Sequence, residues 1–137
     1  MADSWELDLQ AGIRAALAAD AGVAALVGAR IYDTPPDSPT YPFIRFGDLS
    51  MQPNDTDGTL GALITVSIEA HSRSLSGSVE AKRILGAVRA ALHRQETGVT
   101  LANFSLIELI ERTSLTRRDS SGESFVGVAV YRADLSP

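Results

Sequence analysis

The chain has 137 residues, enough for one domain, and its 45% hydrophobic and 21% charged content suits a folded domain with a core. Seventeen acidic against twelve basic residues leave a formal charge of −5, a field that repels phosphate and argues against gripping nucleic acid or anionic lipid. The absence of cysteine excludes disulfides, thiolate nucleophiles and cysteine metal sites.

The N-terminal residues Met1 to Glu6 form no basic, apolar leader, and no apolar run approaches the roughly 20 residues that cross a bilayer. The expected location is therefore the cytoplasm of the producing cell. A helix is predicted over 4–20: Trp5, Leu9, Ile13 and Leu17 recur every four positions, and Asp3 or Ser4 can cap it. A shorter helical turn follows (Val23, Leu26, Val27) and stops at Gly28, read as a left-handed stop. The chain straightens through Arg30-Ile31-Tyr32. Four prolines over 33–42 then make a stiff connector, because proline fixes φ and removes a donor.

A strand is predicted over 42–49, with Ile44 and Phe46 on one face, and a polar turn-rich loop over 50–59. Residues 62–71 alternate most cleanly: Ile64, Val66, Ile68 and Ala70 against Thr65, Ser67, Glu69 and His71. The second main helix is predicted over 79–94, with the stripe Ala81, Ile84, Leu85, Val88 and Leu92. Two further strands are expected over 104–113 and 124–134, joined by a polar loop 114–123. In the last strand Val126, Val128 and Val130 mark one face, and Phe125, Ala129 and Tyr131 the other. The order predicts one α+β domain over 1–137: a four-stranded, mostly antiparallel sheet with two main helices packed on one face.

No chemistry-bearing motif stands out. His71 and His93 read as surface histidines, with no partner at recognisable spacing. The segment Asp55-Thr56-Asp57-Gly58 fails as a calcium loop, since Pro53 and Ile64 fall where carboxylates are required. No phosphate-cradling or nucleophile-elbow motif occurs. No catalytic residue, cofactor or metal is expected. The dense basic cluster Arg112, Arg117 and Arg118, followed by Asp119, reads either as a solvated hairpin tip or as a contact to an acidic partner surface. The Asn54, Asp55 and Asp57 loop of a neighbouring copy is a candidate complement.

The run Val23-Ala-Ala-Leu26-Val27-Gly28-Ala29-Arg30-Ile31-Tyr32 is close to V-x-A-L-V-G-x-R-I-Y. The proline-rich turn and the Tyr41-Pro42-Phe43 strand entry follow it, then the long strand Ile64 to Ser74, the helix Ala81 to Leu92 and a terminal strand pair. In this order and in that motif the chain resembles the tail-completion, or tail-terminator, family of long-tailed phages and phage-derived gene transfer particles. It departs at Glu69-Ala70-His71, where members often carry an aromatic. The resemblance implies a non-enzymatic structural protein at the tail–head junction. Its copies would form a ring, usually of six, that caps the tail tube and joins it to the head connector or stopper. DNA would pass through the lumen in transit, and no membrane would be involved. Asn54, Asp55 and Asp57 are candidates for lining that lumen, and Arg112, Arg117, Arg118 and Asp119 for a subunit interface. A small ligand-binding or regulatory domain, and another head–tail joining component such as a stopper, are the alternatives.

Overall fold

In the computed structural model the described residues are 4–55, 58–73, 75, 77–120 and 122–137. The Ser4 Oγ accepts from Leu7 N–H at 3.2 Å and starts α1 (Trp5–Ala19). Asp3, the other candidate cap, lies outside the described residues. Leu9, Ile13 and Leu17 are fully buried, each burial stabilising by about 1.5–3 kcal/mol. Asp20 then ends one helix and begins another: its carboxylate accepts from Val23 N–H at 3.0 Å and caps α2 (Ala21–Val27), bent 83° from α1. Gly28 ends α2 at φ +59° and ψ −130°, a conformation outside the left-handed helical region that only glycine enters freely.

Five strands follow around α3 (Val79–Leu92): β1 (Ile31–Tyr32), β2 (Phe43–Pro53), β3 (Ala62–Ser72), β4 (Ser105–Arg118) and β5 (Phe125–Ser136). A short 3-10 turn spans Glu96–Gly98. The sheet order is β1-β2-β3-β5-β4. All pairings are antiparallel except β1 on β2, which is parallel through Ile31↔Ile44 and Tyr32↔Arg45. The sheet is thus five-stranded and mixed, with three helices, against the expected four mostly antiparallel strands and two main helices. Two residues are too few to display a period of two, so β1 had no signature of its own.

Strand ends also differ from expectation. β2 continues through Met51 and Gln52 to Pro53, and β4 continues through Thr116 to Arg118. Both extensions lie towards water at the sheet margins, where no buried face imposes apolar alternation.

The helices cover one face of the sheet. Ile64, Val66 and Ile68 of β3 and Ala129, Tyr131 and Ala133 of β5 meet Leu9, Ile13, Ile84 and Val88 in one core. Phe125, Ala129 and Tyr131 share this helix side, and Val126, Val128 and Val130 face away from it. Gly127 lies under α3, where an added Cβ would come within 2.7 Å of the Leu85 side chain.

The loop before β4 is fastened by a buried carboxylate. Asp8, only 2% exposed, accepts from the backbone N–H groups of Ala102, Asn103 and Phe104 and from Asn103 Nδ2, at 3.0–3.2 Å. Trp5 stacks on Phe104 at 3.9 Å between ring centroids. Gly12 admits the same loop, since a Cβ there would stand 2.9 Å from the Thr100 carbonyl oxygen.

Candidate assembly surface

The uncovered face of the sheet is banded by register. Phe43, His71, Val126 and Arg117 form one row, and Arg45, Glu69, Val128 and Leu115 the next. At the far end Leu63, Asp134 and Glu108 make a row beside Thr65, Arg132 and Ile110. The band near Val126, Val128 and Leu115 is apolar, whereas Arg132 pairs with Glu108 at 2.9 Å at the charged end. Leu115 is 60% exposed.

His71 belongs to the first row. Its Nε2 lies 2.9 Å from Glu69 Oε1, and its ring stacks on Phe43 at 4.8 Å. Tyr41 packs beside Phe43, with the Arg73 guanidinium 4.5 Å from the Tyr41 ring centre. The surroundings are one carboxylate and an aromatic stack. His93 accepts from Glu111 N–H through Nδ1 at 2.9 Å, so one ring nitrogen is engaged in closing a strand edge. Among the described residues no group of three or more His, Asp or Glu is placed to hold a metal ion.

The run around Arg30 gains a physical role. Arg30 Nε–H donates to the Pro42 carbonyl oxygen at 2.8 Å, and Ile44 N–H donates to the Arg30 carbonyl oxygen at 2.9 Å. The motif thereby ties the end of α2, through β1, to the entry of β2.

The two groups of predicted interface residues sit at opposite ends of the sheet. Asn54 and Asp55 follow β2, near the C-terminal end of β5, since Pro53 pairs with Ala62 and Ala62 with Leu135. Asn54 N–H donates to the Gly61 carbonyl, and Asp55 Oδ1 accepts from Gly61 N–H at 3.0 Å, so both also close the hairpin. Asp57 lies outside the described residues. Arg117 and Arg118 lie beside Val126 and Phe125, at the start of β5. Twelve residues of β5 separate the ends by about 40 Å.

The arginines do not converge. Arg117 projects to the uncovered face, opposite Val126, whereas Arg118 stacks over Phe125 on the helix side at 4.8 Å and donates to the Gly122 carbonyl oxygen. Arg112 sits at the register shift between Glu111 and Thr113. Asp119 is a hairpin residue: it accepts from Ser124 Oγ at 2.9 Å and from Ser120 N–H.

An open groove of about 500 Å³ runs between α3 and the outer strand β4. Lys82, Leu85, Gly86 and Arg89 form its helix wall, with Glu111, Ser114, Leu115 and Thr116 opposite. Arg89 Nε donates to Glu111 Oε2 at 2.6 Å. Beneath it Tyr131, directly opposite Glu111 in register, holds a buried hydroxyl that has no hydrogen-bond partner among the described residues. Burial pushes this phenol well above the ordinary tyrosine value, the Glu111 carboxylate adds to the rise, and Arg89 opposes it. Sequence reading missed the groove because its lining is spread over 82–116 and forms only when α3 docks on β4.

Comparison with known proteins bears on what these surfaces serve. The model of the family described as "Tail completion protein gp17" matches residues 11–135, and the chain belongs to that family. A solved structure titled "Virion of native gene transfer agent (GTA) particle" contains a similar chain: 26% identity, TM-score 0.88, covering 99% of this chain and 100% of that one. No curated protein matches by sequence. Family and neighbour together support a structural component of a phage-like tail.

Proposed function

We propose that this tail-completion family member assembles as a ring, of six copies as in the family it resembles, on the head-proximal end of a tail tube. The ring stops further tube growth and presents a surface to the head connector or stopper. DNA crosses its lumen in transit. The carrying observation is the full-length likeness to a chain of a gene transfer agent virion, over 99% of this chain and 100% of that one. The polarity of the subunit fits the reading. A ring requires two different surfaces that complement each other around an axis, and the arginine-bearing and aspartate-bearing ends of this sheet differ in charge. In this reading Asn54 and Asp55 face the lumen, where carboxylates would not hold a passing phosphate backbone.

Purified protein examined by mass photometry and negative-stain electron microscopy, alone and with tail tubes, tests the reading. Closed rings seated on tube ends are expected. Monomers that leave tube ends bare and tube length unregulated would overturn it.

A further inference from the structure

We infer that neighbouring copies join strand to strand, the open edge of β4 in one copy pairing antiparallel with the open edge of β2 in the next. The inference rests on the ring reading and names its contact. β4 and β2 are the long outer strands, and each edge is closed over one part only. On β4, Leu109 N–H donates to Glu96 Oε1, the Leu109 carbonyl accepts from Arg94 N–H, and Glu111 N–H donates to His93 Nδ1. Beyond Glu111, among the described residues, the outer edge through Arg118 has no strand beside it. On β2, the two-residue β1 covers only Ile44 and Arg45. A long open edge is a template for pairing unless it is protected.

Charge decides between like and unlike edges. Residues 112–118 carry Arg112, Arg117 and Arg118 and no acid. Residues 46–53 of β2 carry Asp48 and no base. Pairing β4 with β4 would bring six arginines together. Pairing β2 with β2 would do the same to the aspartates, and like charges directly opposite are destabilising. Only the β4–β2 contact is complementary, and it is the heterologous kind that closes rings. Strand direction agrees. Three successive antiparallel pairings make β4 antiparallel to β2, so copies with helices on the same face meet antiparallel, and an offset of about six residues, roughly 20 Å along the strands, sets Met51 opposite Ser114 to Thr116 and Asp48 near Arg117.

Shape agrees as well. Met51 pairs with the buried Ile64, so its side chain is on the helix side, yet it is 38% exposed. The groove between α3 and β4 opens on that side, with Leu85 and Gly86 along its helix wall. An added β2 strand would place Met51 in this groove.

The lack of native cysteine allows a clean test. Met51→Cys is combined with Ser114→Cys or with Thr116→Cys, both on the helix side, and as a control with Leu115→Cys on the uncovered face. Samples are treated with a short thiol crosslinker, then run on denaturing gels and imaged by electron microscopy. Facing Cβ atoms in such a ladder lie about 4.5–5.5 Å apart. The expected result is a ladder of covalent oligomers ending at the ring's copy number for at least one same-face pair, and little for the control. Rings in the micrographs without a ladder in either same-face pair would overturn this contact and leave the ring reading standing. Protein that remains monomeric and uncrosslinked at all concentrations, with tail tubes present as well as alone, would overturn both.

Discussion

Arg30 and Pro42 are joined across twelve residues by a 2.8 Å bond from the guanidinium Nε–H to the carbonyl oxygen. The bond closes the proline segment into a loop and presents Ile31 and Tyr32 to β2. Arg30→Ala leaves a half-buried carbonyl without its charged donor and is expected to cost about 1.5–3 kcal/mol. Arg30→Lys should recover only part, because an ammonium is a point donor on a different stem. Urea unfolding gives the loss, and hydrogen exchange at Ile44 N–H localises it. An unchanged midpoint would show the bond to be dispensable.

Asp8 gathers four donors from the loop 102–104 within the protein. Asp8→Ala strands three backbone N–H groups and is expected to cost about 3 kcal/mol or more. Asp8→Asn, which swaps one acceptor for a donor aimed at donors, should not restore the wild-type value. Trp5 is the single tryptophan and stacks on Phe104, so its emission reports whether the loop has moved. Loss of stability with a shift of emission is the expected pair of results.

Both sites mark how far the sequence could be read. The stripes of α1 and α3 and the alternation of β3 were legible because one face of each is buried against one core, which imposes its period on the residues. Arg30 was noticed as part of a family-like run, but its partner at Pro42 depends on how the proline segment folds back. Nothing in the sequence sets Asp8 apart; its burial depends on the loop that crosses Gly12. The arginine cluster was visible as charge, yet adjacent strand residues point to opposite faces, so Arg117 and Arg118 cannot act as one patch. The open edges of β2 and β4 follow from sheet order, which pairwise strand patterns do not determine.

Gly127 sits where Leu85 of α3 meets β5. Gly127→Ala puts a methyl within 3.0 Å of Leu85 Cγ, and overpacking of this kind costs about 1–3 kcal/mol. The clash has one partner, so Leu85→Ala in the same chain should relieve it. A double-mutant cycle by urea unfolding is expected to show the Gly127→Ala penalty shrinking in the Leu85→Ala background. Additive losses would place the strain elsewhere.

Tyr131 buries a hydroxyl that has no partner among the described residues, next to Glu111 and Arg89. Tyr131→Phe removes the polar group and keeps the ring, so stability near neutral pH is expected to rise by about 1 kcal/mol. The alkaline limb should change too. With the folded phenol raised above 10.0, the native state holds its proton while the unfolded chain releases it. Stability therefore falls above that pH, by about 1.4 kcal/mol per pH unit for this one proton. Below it the phenol is protonated in both states and contributes no slope. Unfolding midpoints measured from pH 8 upward should show the alkaline decline becoming shallower in Tyr131→Phe. An equally steep decline would assign it to other groups.

Arg117 and Arg118 offer a sharper test of partner contact than the cluster taken whole. Arg118 has two contacts inside its own subunit, the Phe125 ring and the Gly122 carbonyl, whereas among the described residues Arg117 makes no ion pair. Arg118→Glu should therefore loosen the β4–β5 hairpin, seen as faster hydrogen exchange over 118–125. Arg117→Glu should leave exchange and unfolding near wild type and weaken assembly on tube ends. Added salt should weaken wild-type assembly in the same direction, since exposed charge pairs are screened within about 8–10 Å at physiological ionic strength. The comparison is decided by sedimentation of tube-bound protein across a salt series. If Arg117→Glu binds tubes as wild type does at every salt concentration, the arginine end contributes only to the solubility of a single subunit, and the attraction between copies has another origin.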